Sequence, residues 1–142
     1  MGKDWNSSFE LGNKEIDEQH KSLVDEVERL SDRIEKGDID KTQILQSLNF
    51  LVNYAVEHFR SEELISKQYN YPNRNYHNSV HDEFKKKVGE VAEQYTNLND
   101  EKKSLELAKD ICHFLSQWLQ NHIKGDDFLL FQFIKSVQNK KS

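Results

Sequence analysis

Apolar residues recur along the chain at three- and four-residue steps in four separate stretches, the spacing that puts side chains on one face of an α-helix. The first stretch carries Ile16, His20, Leu23, Val27, Leu30 and Ile34, and Gly37-Asp38 stops it. The second carries Leu48, Leu51, Ala55, His58, Glu62 and Ile65 before Asn70, Pro72 and Asn73 break the pattern. A third reads His77, His81, Phe84, Val88, Val91 and Tyr95, and a fourth reads Ala108, Ile111, Leu115, Trp118 and His122. The predicted helices cover about 16–36, 42–68, 75–97 and 102–124, with an N-terminal arm before them and a short C-terminal helix over 128–138.

Helices of about 20 residues span about 30 Å, and short connections force consecutive helices to run antiparallel. The expected fold is all-α: an up-down-up-down antiparallel four-helix bundle, one domain over residues 1–142. That topology has a consequence for the polar residues on the apolar stripes. His20 lies near the start of the first helix, His58 and Glu62 near the end of the second, His77 and His81 near the start of the third, and His122 near the end of the fourth. All six therefore fall at one end of the bundle. Burying five imidazoles and a carboxylate without partners costs several kcal/mol in lost hydration. A metal centre is the simplest compensation.

Composition narrows the alternatives. The chain is 35% hydrophobic and 32% charged with few turn-forming residues, which suits helices, and its net charge of −5 argues against a nucleic-acid partner. The run Lys85-Lys86-Lys87 is flanked by Asp82, Glu83 and Glu90 and reads as a solvated helix face. No stretch has the length of a membrane span or of a signal-peptide core, so a cytoplasmic protein is expected. The single cysteine, Cys112, lies in a helical pattern between Ile111 and His113 and reads as a small buried hydrophobe.

His58 with Glu62, and His77 with His81, are spaced four apart, so each pair projects from one helix face one turn apart. A further carboxylate follows His122 in Ile123-Lys124-Gly125-Asp126-Asp127, where Gly125 can loosen the helix end. In an undistorted helix Asp126 shares the face of His122, whereas Asp127 points about 140° away; spacing alone leaves both open. His113 falls half a turn off the fourth stripe and is left outside the site. If two metals share Glu62 and one aspartate, with His77, His81 and His122 on one and His20 and His58 on the other, a solvent-derived bridge completes six ligands on the first. The second is left one ligand short. An imidazole-rich, carboxylate-bridged set of this size suits iron better than a closed tetrahedral zinc site.

The segments Trp5, Ile16-Asp17-Glu18-Gln19-His20, His58-Phe59-Arg60-Ser61-Glu62, His77-Asn78-Ser79-Val80-His81 and Trp118-Leu119-Gln120-Asn121-His122-Ile123 with Asp127 resemble the hemerythrin family, and within it the bacterial single-domain members. The resemblance runs from about Trp5 to Asp127, and the order and spacing of the motifs carry it. It implies that Asp127, rather than Asp126, is the second bridging carboxylate. It implies two non-haem irons with an oxo or hydroxo bridge, and reversible dioxygen binding for carriage, storage or sensing. It also implies a dioxygen pocket at Leu23, Phe59, Trp118, Leu119 and Ile123. None of those five is an acid or base, so binding without catalysis is expected. The alternatives are an enzyme handling peroxide or nitric oxide, an iron store, and a bundle whose metal, such as zinc, is purely structural. A monomer or weak homo-oligomer is expected.

Two features depart from the family pattern. Leu130 stands where members often have a tyrosine three residues after the bridging aspartate. The tail Phe128-Leu129-Leu130-Phe131-Gln132-Phe133-Ile134 is unusually apolar, and packing across the bundle is expected ahead of a dimer surface.

Overall fold

A computed structural model of the chain describes residues 9–141, so Trp5 of the motif set lies outside the described residues. Four long helices form: α1 (Lys14–Lys36), α2 (Lys41–Gln68), α3 (Arg74–Asn97) and α4 (Glu101–His122). A π-helical turn, Ile123–Asp127, joins α4 to α5 (Phe128–Lys141). Each of the first four packs on its neighbour in sequence, and α1 closes the ring against α4, giving the expected antiparallel bundle.

Local chemistry sets the helix ends. The Asn13 side chain accepts from the Ile16 backbone N–H, and Gly37, at φ 70°, ends α1 in the left-handed conformation that glycine adopts without strain. Asp40 and Gln43 form a reciprocal capping box at the start of α2, and Asp100 accepts from Lys103 N–H at the start of α4. The observed starts lie within two residues of those expected.

Larger differences occur after His122. The fourth helix was expected to run to about residue 124 and loosen at Gly125. Instead the α-helical part ends at His122, and the backbone continues without a break through the π turn into a helix that reaches Lys141 rather than residue 138.

The interior separates into two apolar clusters. The larger, including Leu23, Val27, Leu48, Phe59, Val88, Ile111 and Leu119, fills most of the bundle. The smaller gathers Phe9 and Leu11 of the arm with Ile16, Val24, Tyr71, Ile123, Leu130, Phe131 and Ile134. The C-terminal tail therefore packs on its own bundle through Leu130, Phe131 and Ile134, while Phe128 and Leu129 are exposed. Asp17 ties the arm down, its carboxylate accepting from the backbone N–H groups of Leu11 (2.8 Å) and Gly12 (3.3 Å). The aspartate of the first motif thus holds a lid of apolar residues over one end of the bundle. On α1, His20 sits between Ile16 of the small cluster and Leu23 of the large one; on α4, His122 sits between Leu119 and Ile123 in the same way. Polar residues form the layer between the two clusters.

Candidate metal centre

That layer brings together all seven candidate ligands. His20, His58, Glu62, His77, His81, His122 and Asp127 are each buried, Glu62 and Asp127 completely so. They fall into two overlapping sets: Glu62, His77, His81, His122 and Asp127, and His20, His58, Glu62 and Asp127, with the donor atoms of each set within 4.8 Å of one another. The two carboxylates are common to both sets. His113, kept out of the site on spacing, is exposed.

Asp127 reaches this layer because of the π turn. Hydrogen bonding from i to i+5 inserts an extra residue into the turn, so the residue five positions on swings toward the face that i+4 holds in an α-helix. Asp127 Oδ1 comes to 3.1 Å from His122 Nε2 and 2.8 Å from His77 Nε2, and its Oδ2 to 2.9 Å from His20 Nε2. The expectation that Asp127 points away assumed an undistorted helix, and the backbone here is not one. Asp126 also keeps the side of His122, but on the outer nitrogen: its Oδ2 accepts from His122 Nδ1 at 3.0 Å. The two aspartates have separate positions rather than competing for one.

Three histidines are oriented from outside the layer. Asp126 holds His122, Glu63 Oε2 accepts from His81 Nδ1 at 3.0 Å, and Gln19 Oε1 accepts from His58 Nδ1 at 2.7 Å. With Nδ1 engaged outward, Nε2 is turned inward as the atom that can bind a metal. His81 Nε2 and His122 Nε2 lie 3.1 Å apart, a spacing that needs a proton or a metal ion between the two nitrogens.

Other contacts point the same way. His20 Nε2, His58 Nε2, His77 Nε2 and all four carboxylate oxygens of Glu62 and Asp127 are buried without a properly directed hydrogen bond. Yet His81 Nε2 is 3.1 Å from Glu62 Oε1, and His58 Nε2 is 3.2 Å from Glu62 Oε2. The atoms are close to one another without forming directed hydrogen bonds. Metal–ligand bonds of about 2.1 Å give neighbouring donors about 3.0 Å apart in an octahedron and about 3.4 Å in a tetrahedron. Most spacings in both sets, 2.8 to 3.2 Å, fit neighbouring positions of the octahedron, while His77 and His122 lie farther from Glu62 Oε1, at 3.5 and 3.9 Å.

Residues 11–134 match the family model described as the Hemerythrin HHE cation binding domain. The chain belongs to the hemerythrin family. Among its relatives, a hemerythrin-like protein of Naegleria gruberi is 31% identical over 87% of this chain and 86% of its own length. A bacteriohemerythrin of Stenotrophomonas maltophilia is 26% identical over 96% and 84% respectively. A myohemerythrin of Theromyzon tessulatum is 29% identical over 87% of each chain.

Protonation at this hemerythrin centre follows from its charges. Burial works against charge on His20 and His77, but Asp127 and Glu62 outweigh it and raise both to about 9. His122 is raised for the same reasons, with Asp126 contributing. Burial alone would raise Glu62, but His58, His122 and His20 hold it well below the usual carboxylate range, and the histidines likewise keep Asp127 low. Without a cation the layer therefore collects protons, and a metal has to displace them. Cys112 takes no part: burial pushes its thiol up to about 12.

The five residues expected around a gas pocket are not gathered on one side. The Phe59 ring lies flat on His81 at 4.0 Å and Trp118 on His122 at 4.5 Å, both against the three-histidine set. Leu23 and Leu119 border a small apolar cavity of about 10 Å³ with Ala55 and Phe84, one helical layer below the donors. Ile123 packs into the other apolar cluster with Ile16 and Val24. Leu130 is fully buried there, and Tyr71 of the same cluster meets His77 edge-on at 6.3 Å.

Spacing along single helices missed Gln19 and Glu63. Each lies next to a ligand in sequence, but each bonds a histidine on a different helix. Their only signal was a polar residue adjoining a candidate ligand on the half-buried flank of its stripe.

Proposed function

We propose that this hemerythrin domain holds two non-haem irons and binds dioxygen reversibly at the iron carried by His20 and His58. The observation that carries the reading is the unequal division of donors: three histidines in one set, two in the other, and two carboxylates shared by both. Glu62 and Asp127 would be shared by both metals, His77, His81 and His122 would hold one, and His20 and His58 would hold the other, which would have one protein donor fewer and so room for a diatomic. A reduced iron pair bound there supplies electrons and a coordination position for a diatomic.

The chain's own residues favour binding over turnover. Leu23, Phe59, Trp118, Leu119 and Ile123 offer no proton, and although they do not form a single pocket wall, the apolar clusters above and below the donor layer exclude the water that would otherwise supply one. The nearest outer polar groups, Gln19, Glu63 and Asp126, are each engaged with a histidine Nδ1. Carriage, storage or sensing fits this surrounding better than oxidation of a substrate. No helix among the described residues is long and apolar enough to cross a membrane, and a cytoplasmic setting is part of the proposal.

The test is optical. Iron-loaded, reduced protein exposed to air should gain a visible absorption band and lose it when oxygen is removed. No new band on exposure would refute the proposal, and steady-state consumption of peroxide or nitric oxide would favour an enzyme instead.

A further inference from the structure

The outer hydrogen bonds are distributed unevenly between the two donor sets. On the three-histidine side, two of the three imidazoles donate Nδ1–H to a carboxylate: His81 to Glu63 and His122 to Asp126, each at 3.0 Å. On the two-histidine side the partner is a neutral amide, Gln19, bonded to His58 at 2.7 Å. His20 Nδ1 and His77 Nδ1 have no hydrogen-bond partner among the described residues. A carboxylate accepting Nδ1–H pushes electron density toward Nε2 and makes that nitrogen a stronger donor, and it does so more than an amide oxygen. Glu62 and Asp127 serve both sets and cannot distinguish them.

We propose that Glu63 and Asp126 are positioning residues that make the three-histidine set the tighter metal site, so that the two metals enter in order, with the His20/His58 position filled last. The inference rests on the reading that the seven side chains hold two metals, but not on gas binding. Beside the His20/His58 set's shortage of one imidazole, the neutral Gln19 adds to the weaker hold on the open-side metal. The more exchangeable metal is then also the one with the free position.

The experiment is an anaerobic titration of the full metal-free chain with cobalt(II), followed by absorption and by paramagnetic shifts of the histidine ring protons. The first equivalent should shift His77, His81 and His122, and the second should shift His20 and His58. Glu63→Gln or Asp126→Asn should weaken the first step by about 10- to 100-fold and change the second much less. Gln19→Glu should do the reverse and tighten the second step. Glu63 and Asp126 are 32% and 28% exposed, so these variants should fold, and an unchanged helical circular-dichroism spectrum verifies that. Simultaneous filling of both sets, first entry at His20/His58, or equal weakening of both steps in the variants would overturn the inference and leave the two-metal reading standing. Failure of the wild-type chain to take up two cobalt ions would overturn both.

Discussion

At one end of the bundle the inner faces of α1 to α4 meet through Leu30, Ile34, Ile44, Leu48, Val88 and Ala108; at the other they meet through five histidines and two carboxylates. Both ends are built from the same three- and four-residue spacing and are equally buried. Their energetics differ. The aliphatic end gains free energy from leaving water, about 1.5 to 3 kcal/mol for each large side chain. The histidine end loses hydration, and without a metal only protons shared between its imidazoles and carboxylates offset the loss. One end drives folding, while the other is held in place by it and waits for a cation. Helical spacing therefore reports burial, and the chemistry of the buried residue decides whether the position stabilises the fold or uses its stability.

The contrast breaks most sharply at Glu62, the carboxylate common to both donor sets. Glu62→Ala should abolish tight binding of two metals per chain, measured by elemental analysis. Hydrogen exchange should still find slow amides around Leu48 and Val88, because that end does not depend on the metal. Next in size is Leu48→Ala, which should cost about 2 to 5 kcal/mol in chemical denaturation, with metal stoichiometry of the folded protein unchanged. Should Leu48→Ala lower metal content in the folded chain, or Glu62→Ala unfold the far end, the two regions are not separable in this way.

How much of this was legible from the residues depends on whether a feature lies along one helix or between several. His58 with Glu62 and His77 with His81 show themselves at four-residue spacing, and short connections were enough to carry His20 and His122 to the same end. The π turn over Ile123–Asp127 was not legible, because an i to i+5 turn leaves no periodic mark in five residues. Asp126 was placed correctly on the side of His122, yet the spacing could not tell which imidazole nitrogen it meets. Gln19 to His58 and Glu63 to His81 join residues on different helices, and only the packed bundle reveals them. The apolar tail was legible as a packing segment through Leu130, Phe131 and Ile134, although it ends later than expected.

A third prediction uses pH to separate protons from metal. In the metal-free chain His20 and His77 are raised to about 9, so the stability they contribute is full below their ordinary value of 6.5 and is lost as pH rises toward 9. Glu62 and Asp127 are lowered, so their contribution is present above the ordinary carboxylate range and is lost as pH falls below it. Metal-free protein should melt highest between pH 4.5 and 6.5, while metal-loaded protein escapes the alkaline loss. Melting temperatures of the two forms should therefore diverge as pH rises from 6.5 to 9, and loading in weak buffer at neutral pH should release protons. Parallel melting curves across that range would show that protons and metal do not share these side chains.

The smallest effect belongs to the far end. Asp40→Ala removes the capping box of α2 and should cost about 1 kcal/mol in denaturation, with no change in metal affinity.

The most direct test is anomalous scattering at the iron absorption edge from crystals of the iron-loaded protein. Two peaks are expected, one bonded by His77, His81 and His122, the other by His20 and His58, with Glu62 and Asp127 reaching both. A single peak, or two peaks of which either lies away from these side chains, would contradict the account.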